Sequence, residues 1–79
     1  MTHFPPVRTL DCLGRPCPVP VIELARALPG VAVGEALEVL SDDAAAGPDL
    51  KAWCRMREQG WEGSEPRAVG SAHRVRRLR

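Results

Sequence analysis

Residues 18–30 read PVPVIELARALPG, and this segment contains the clearest helix of the chain. Its apolar positions recur at the i, i+3, i+4 and i+7 spacing of one helical face, namely Val21, Leu24, Ala25 and Leu28. Proline is favoured at the first helical position, and Pro29-Gly30 stops the helix. We therefore predict a helix from residue 18 to about residue 28.

The flanking segments predict four strands and a second helix. Short apolar or β-branched runs bounded by glycine, proline or aspartate are typical of strands, which we expect at residues 7–12, 37–40, 61–65 and 73–78. The second helix is expected from Pro48-Asp49 to about residue 59, with an apolar face made of Leu50, Trp53 and Cys54. Pro66 marks the third strand as an edge strand, because proline cannot donate to a sheet ladder.

This order of elements, β-α-β-α-β-β, predicts a two-layer α/β sandwich. Right-handed crossovers would place both helices on one face of a four-stranded mixed sheet. A chain of 79 residues has room for one core, so we expect a single domain over residues 1–79, with residues 1–6 flexible.

Composition excludes several classes of protein. The net charge is only +1, which gives no global attraction to nucleic acid. No apolar run approaches the roughly 20 residues of a membrane span, and the N-terminus lacks the pattern of a signal peptide, so we expect a cytoplasmic protein without membrane contact. Cys12, Cys17 and Cys54 do not have the spacing of zinc ligands, and we expect neither a metal nor a cofactor.

The C-terminal segment is basic. Residues 67–79 contain five arginines and no acidic residue. We interpret this segment as a solvated edge strand with a charged tail. The alternative is a docking patch for an acidic partner or for RNA.

Cys17 lies at the entrance of the first predicted helix, at its N-cap position. The free N–H groups of a helix N-terminus favour a thiolate, so we expect the pKa of Cys17 below the ordinary value of about 8.5. Arg15 could add positive charge, and the glycine and proline before the cysteine predict an exposed loop. The alternative is that Cys17 only caps the helix or packs beneath this loop.

Residues 11–20, DCLGRPCPVP, resemble the signature of the TusA/SirA-like family, in which D-x-x-G is followed two residues later by C-P-x-P. A second segment resembles the D-D-x-A…D-[IL]…aromatic-Cys pattern of that family; it comprises residues 41–45, Asp49-Leu50 and Trp53-Cys54. The resemblance implies a small sulfur carrier that receives sulfane sulfur as a persulfide on Cys17 and relays it to another protein.

The resemblance also implies partners and a site. The donor would be a cysteine desulfurase or another persulfide donor, and the acceptor a downstream protein of tRNA thiolation, cofactor assembly or sulfur oxidation. Cys17 is the residue carried over as catalytic, and the residues expected to support it are Asp11, Gly14, Arg15, Pro18 and Pro20. Pro16 and Val19 replace residues typical of tRNA-thiolation members, arginine and glutamate. We expect a monomer that does not bind nucleic acid directly.

Two other functions are compatible with the residues. One is a non-catalytic regulatory module that binds RNA or protein through the basic C-terminal strand. The other is a redox sensor in which Cys12 pairs with Cys17.

The remaining candidate residues are given structural roles. We expect Cys12, Cys54 and Trp53 to pack in the interior, and Trp61 to be partly exposed. Asp42 and Asp43 are expected to end a strand and cap the following turn, and Asp11 to hold the loop before Cys17 through backbone hydrogen bonds. The histidines, His3 and His73, do not suggest a metal site.

Overall fold

The computed structural model describes residues 5–79. His3 and most of the segment expected to be flexible lie outside this range. The elements in chain order are β1 (Arg8–Asp11), α1 (Val19–Ala27), a 3-10 turn (Leu28–Gly30), β2 (Ala36–Ser41), α2 (Ala46–Arg57), β3 (Gly60–Pro66) and β4 (Ser71–Arg76). The predicted order of strands and helices is confirmed.

The strands form one mixed sheet in the order β1-β2-β4-β3. β1 runs parallel to β2, whereas β4 is antiparallel to both of its neighbours. The helices pack against this sheet and against each other, which confirms the two-layer α/β sandwich. β3 is an edge strand, as Pro66 predicts.

The interpretation of the basic C-terminal segment as an edge strand is wrong. β4 lies inside the sheet, hydrogen-bonded to β2 on one side and to β3 on the other. His73 and Val75 are buried, whereas Arg74 and Arg76 alternate with them and remain partly exposed. A central strand tolerates these arginines because alternate side chains point to opposite faces, and Glu62 of the neighbouring strand forms ion pairs with both.

The core lies between the sheet and the two helices. Its fully buried side chains come from every layer: Leu24 from α1, Leu37 and Val39 from β2, Leu50 from α2 and Val75 from β4. Cys12 and Cys54 are each only 1% exposed and join this cluster, as expected. Trp53 and Trp61 are half-buried and pack against the cluster from outside.

Both helices begin at different residues from those predicted. α1 begins at Val19 with Pro18 as its N-cap, so Cys17 is not the N-cap residue and lies one position further out. α2 begins at Ala46, two residues before Pro48, because Asp43 accepts a hydrogen bond from the N–H of Ala45 and starts the turn early. Within residues 5–79, neither helix is long and apolar enough to cross a membrane.

Candidate functional site

The loop between β1 and α1, residues 12–18, is shaped by its own residues at the first turn. Gly14 has a positive φ of 76°, a conformation that favours glycine, and the N–H of Arg15 donates to the carbonyl of Cys12 at 3.1 Å. Asp11 accepts a hydrogen bond from the N–H of Leu13 at 3.1 Å, so it holds the loop as expected. These contacts turn the chain and bring Cys17 to the entrance of α1.

Asp42 and Asp43, which follow β2, hold the same loop from outside. The N–H of Gly14 donates to Asp42 at 3.1 Å, and the N–H of Cys17 donates to Asp43 at 2.9 Å. Asp43 also caps the turn before α2 through the N–H of Ala45 at 2.9 Å, which confirms its predicted role. The N–H groups of Cys17 and Ala45 favour the charged form of Asp43 and hold its pKa below its usual range.

Cys17 is half-buried and lies in a groove of about 340 Å³. The apolar walls of this groove are Pro18, Val21, Ala52, Trp53 and Met56. The peptide bond between Cys17 and Pro18 is cis. Because the walls of the groove come from both α1 and α2, the thiol is presented at the surface between the two helices.

The expected fall in the pKa of Cys17 is wrong. Its Sγ donates a hydrogen bond to Oδ2 of Asp49, in the first turn of α2. This hydrogen bond, desolvation and the negative charges of Asp49 and Asp43 raise the pKa of the Cys17 thiol to about 11. The neutral thiol is favoured because its hydrogen bond needs the proton and because two carboxylates oppose a third negative charge.

Within residues 5–79, none of the other predicted site residues forms a side-chain hydrogen bond with the thiol. Arg15 is exposed on the loop and forms no salt bridge among residues 5–79. Pro18 caps α1, and Pro20 is fully buried beneath its first turn. Asp11 and Gly14 shape the loop, as described above.

Cys12 and Cys54 do not share the environment of Cys17. All three cysteines are free thiols. Burial raises the pKa of Cys12, with a smaller contribution from Glu23, and burial alone raises that of Cys54 to about 11. Within residues 5–79, no three His, Cys, Asp or Glu side chains are grouped so that they could hold a metal ion.

The basic C-terminal segment is extensively ion-paired. Arg67 pairs with Glu38 and Glu65, and Arg79 pairs with Glu58. Arg77 donates from its guanidinium to the carbonyls of Pro29 and Val31, at 3.2 and 2.7 Å. These contacts engage the guanidinium groups of Arg67, Arg77 and Arg79 within the domain, which does not favour a docking patch.

Sequence reasoning missed Asp49 as a neighbour of the thiol. It also assigned Asp42 and Asp43 to their own turn and not to the cysteine loop. Asp49 is the only acidic residue in the first turn of α2, and the parallel strands β1 and β2 end side by side, with Asp11 in register with Leu40. Because loops that follow neighbouring parallel strands meet at one sheet edge, the predicted topology carried the signal that these residues converge.

Comparison with known proteins identifies a family that matches most of the chain. The family described as sulfurtransferase TusA matches residues 8–76. A candidate sulfur carrier protein of Halobacterium salinarum is 42% identical over 45 residues, which are 57% of this chain and 56% of that protein. A candidate sulfur carrier protein of Neisseria meningitidis serogroup A is 40% identical over 48 residues, which are 61% of this chain and 65% of that protein. The chain thus spans less than two thirds of the length of these curated relatives.

A solved structure shares the fold. The crystal structure of a SirA-like protein from Desulfitobacterium hafniense is similar with a TM-score of 0.75 and 25% identity, covering 89% of this chain and 95% of that chain. The family match extends across both helices and all four strands, including the cysteine loop and the three aspartates around it. The chain therefore belongs to the TusA/SirA-like family.

Proposed function

We propose that this protein is a sulfur carrier that receives sulfane sulfur as a persulfide on Cys17 and passes it to a partner protein. The observation that carries the proposal is the placement of the Cys17 thiol, half-buried in a surface groove on a loop fixed by Asp42 and Asp43. Persulfide transfer needs a thiol that can attack a sulfur atom and can later leave as a thiolate when the acceptor attacks the outer sulfur. The family match supports the same chemistry.

The other two cysteines fit this role poorly. Cys12 and Cys54 are each 1% exposed within the core cluster, so a donor protein could not bring a persulfide to them without unfolding part of the domain.

We propose a cysteine desulfurase or another protein-bound persulfide as donor and a downstream sulfur-accepting protein as acceptor. The groove beside Cys17 leaves the thiol open to both in succession.

Neither alternative function gains support from a specific contact. RNA binding would need uncompensated basic residues, whereas the C-terminal arginines are engaged with glutamates and carbonyl groups. For the redox pair, Cys12 is buried and no disulfide joins it to Cys17.

The experiment is loading with a persulfide donor, read by intact mass and peptide mapping. We expect the mass to rise by one sulfur atom located on Cys17. The Cys17→Ser variant should stay unloaded, whereas Cys12→Ala and Cys54→Ala should load as the wild type does. Absence of loading in the wild type, or sulfur found on Cys12 or Cys54, contradicts the proposal.

A further inference from the structure

Asp49 is the only side chain to which the Cys17 thiol donates a hydrogen bond among the described residues. Asp49 is half-buried in the first turn of α2, and the next residue, Leu50, is fully buried in the core. No lysine or arginine of residues 5–79 forms a salt bridge with the Asp49 carboxylate. The carboxylate is thus held against the sulfur and is not neutralised by a cation.

The surroundings of the thiol make proton removal a necessary part of its chemistry. The charged groups that act on Cys17 are Asp49 from α2 and Asp43 from the loop before it, and both are acidic. With its pKa raised to about 11, Cys17 is a neutral thiol near pH 7. A thiol attacks sulfur as the thiolate, so its proton must leave before or during transfer.

From this contact we propose that Asp49 accepts the proton of Cys17 during sulfur transfer and returns it to the departing thiolate. The inference rests on the proposed function and deepens it by assigning the proton acceptor. A side chain within hydrogen-bond reach of the proton that it removes meets the first requirement of a general base.

The step balances in atoms and electrons. As the proton moves to Asp49, Sγ of Cys17 attacks the outer sulfur of the donor's persulfide and forms a new S–S bond. The donor's own S–S bond breaks, and its electron pair leaves on the sulfur of the donor cysteine, which takes the proton from Asp49. One thiol and one persulfide are consumed, and one of each is formed, so no external oxidant or reductant is needed. Any proton on the transferred sulfur travels with it.

The test separates this role from simple suppression of the thiolate. Asp49→Asn removes the base and one of the two negative charges, so the pKa of Cys17 should fall toward the ordinary value and alkylation by iodoacetamide near neutral pH should accelerate about tenfold or more. If Asp49 acts as the base, sulfur loading should nevertheless slow by at least about tenfold. The Asn variant should also load faster as pH rises, whereas the wild type should be nearly independent of pH around neutrality.

Two further variants complete the test. Asp49→Glu keeps a carboxylate and should recover part of the loading rate. Glu35→Gln makes the same change in net charge at a distant position. Glu35 lies just before the first residue of β2, whereas Ser41 is the last residue of that strand. This variant should load as the wild type does. Circular dichroism and thermal unfolding establish that each variant is folded.

The outcomes distinguish the two proposals. If the wild type loads and Asp49→Asn loads equally fast or faster, Asp49 only suppresses the thiolate and the inference is overturned. If the wild type does not load, the proposed function fails, and the inference fails with it.

Discussion

The backbone N–H of Cys17 donates a hydrogen bond of 2.9 Å to a carboxylate oxygen of Asp43, which is 26 residues away in the chain. The other oxygen of Asp43 accepts from the N–H of Ala45, just before α2. One side chain therefore fixes the cysteine loop relative to the start of the helix that carries Asp49. The relative positions of Cys17 and Asp49 depend on this carboxylate.

Removing the Asp43 side chain should impair sulfur loading without removing either reacting group. In Asp43→Ala the N–H of Cys17 loses its acceptor, and we expect loading to slow by about one order of magnitude or more because the thiol is no longer held in place. Asp43→Asn retains a carbonyl oxygen and should be affected less. Loading is measured by intact mass, and hydrogen exchange at the amide of Cys17 should quicken in the Ala variant. A wild-type loading rate in Asp43→Ala would show that the contact has no part in transfer.

Alkylation of the wild-type protein should follow the raised pKa of Cys17. Because the thiolate is the reactive form, the rate should rise about tenfold for each pH unit until it levels off near the pKa, about 11 for this thiol. Cys54 has a similarly raised pKa but is 1% exposed, so it should react only after unfolding. The measurement is iodoacetamide labelling followed by peptide mapping. Levelling off near the ordinary value of about 8.5 would contradict the close contact with Asp49.

Gly70 should be far less tolerant of alanine than Gly63. Both have positive φ, 66° and 92°, so alanine is strained at either position by about 1 kcal/mol. Only at Gly70 would the new Cβ also meet backbone, at 2.2 Å from the carbonyl oxygen of Ser41; at Gly63 nothing lies within 4 Å. Gly70→Ala should therefore lower the free energy of unfolding in urea clearly more than Gly63→Ala. Equal losses of unfolding free energy would mean that the backbone at Ser41 shifts to accommodate the new Cβ without a loss of stability.

His73 should make the stability of the fold dependent on pH below neutrality. Its ring is 5% exposed, and burial lowers its pKa. The unfolded chain then binds a proton more readily than the folded one, so this contribution is intact above the unfolded pKa of about 6.5 and is lost as pH falls toward the folded value.

The matched variant for this prediction is His73→Gln, which keeps His3. Between neutral pH and pH of about 5.5, the free energy of unfolding should fall less in this variant than in the wild type. The difference between the two urea-unfolding series isolates His73 from the carboxylates, which titrate in both proteins. Equal slopes would contradict the prediction.

Local patterns predicted the order of elements because each element carries its own periodicity and its own stop signals. α1 shows this best, since its apolar face and the Pro29-Gly30 stop are contained within one segment. The place of β4 in the sheet was not predictable in this way. Its arginines suggest an edge. Only the strand partners show that Glu62 forms ion pairs with Arg74 and Arg76 from one side of β4, and that Glu38 of β2 lies in register with Arg74 on the other side.

The sequence by itself determined which segments form helices and strands and, through two spaced motifs, the family. Cys17 as the persulfide-bearing residue stays a prediction. Only the tertiary structure decided the protonation state of this thiol. Sequence reasoning considered the nearby helix end and Arg15, both of which favour a thiolate, whereas folding brings Asp43 and Asp49 against the cysteine from 26 and 32 residues away. A direct hydrogen bond to a carboxylate outweighs these local effects, because electrostatic influence depends on distance in space and not on separation along the chain.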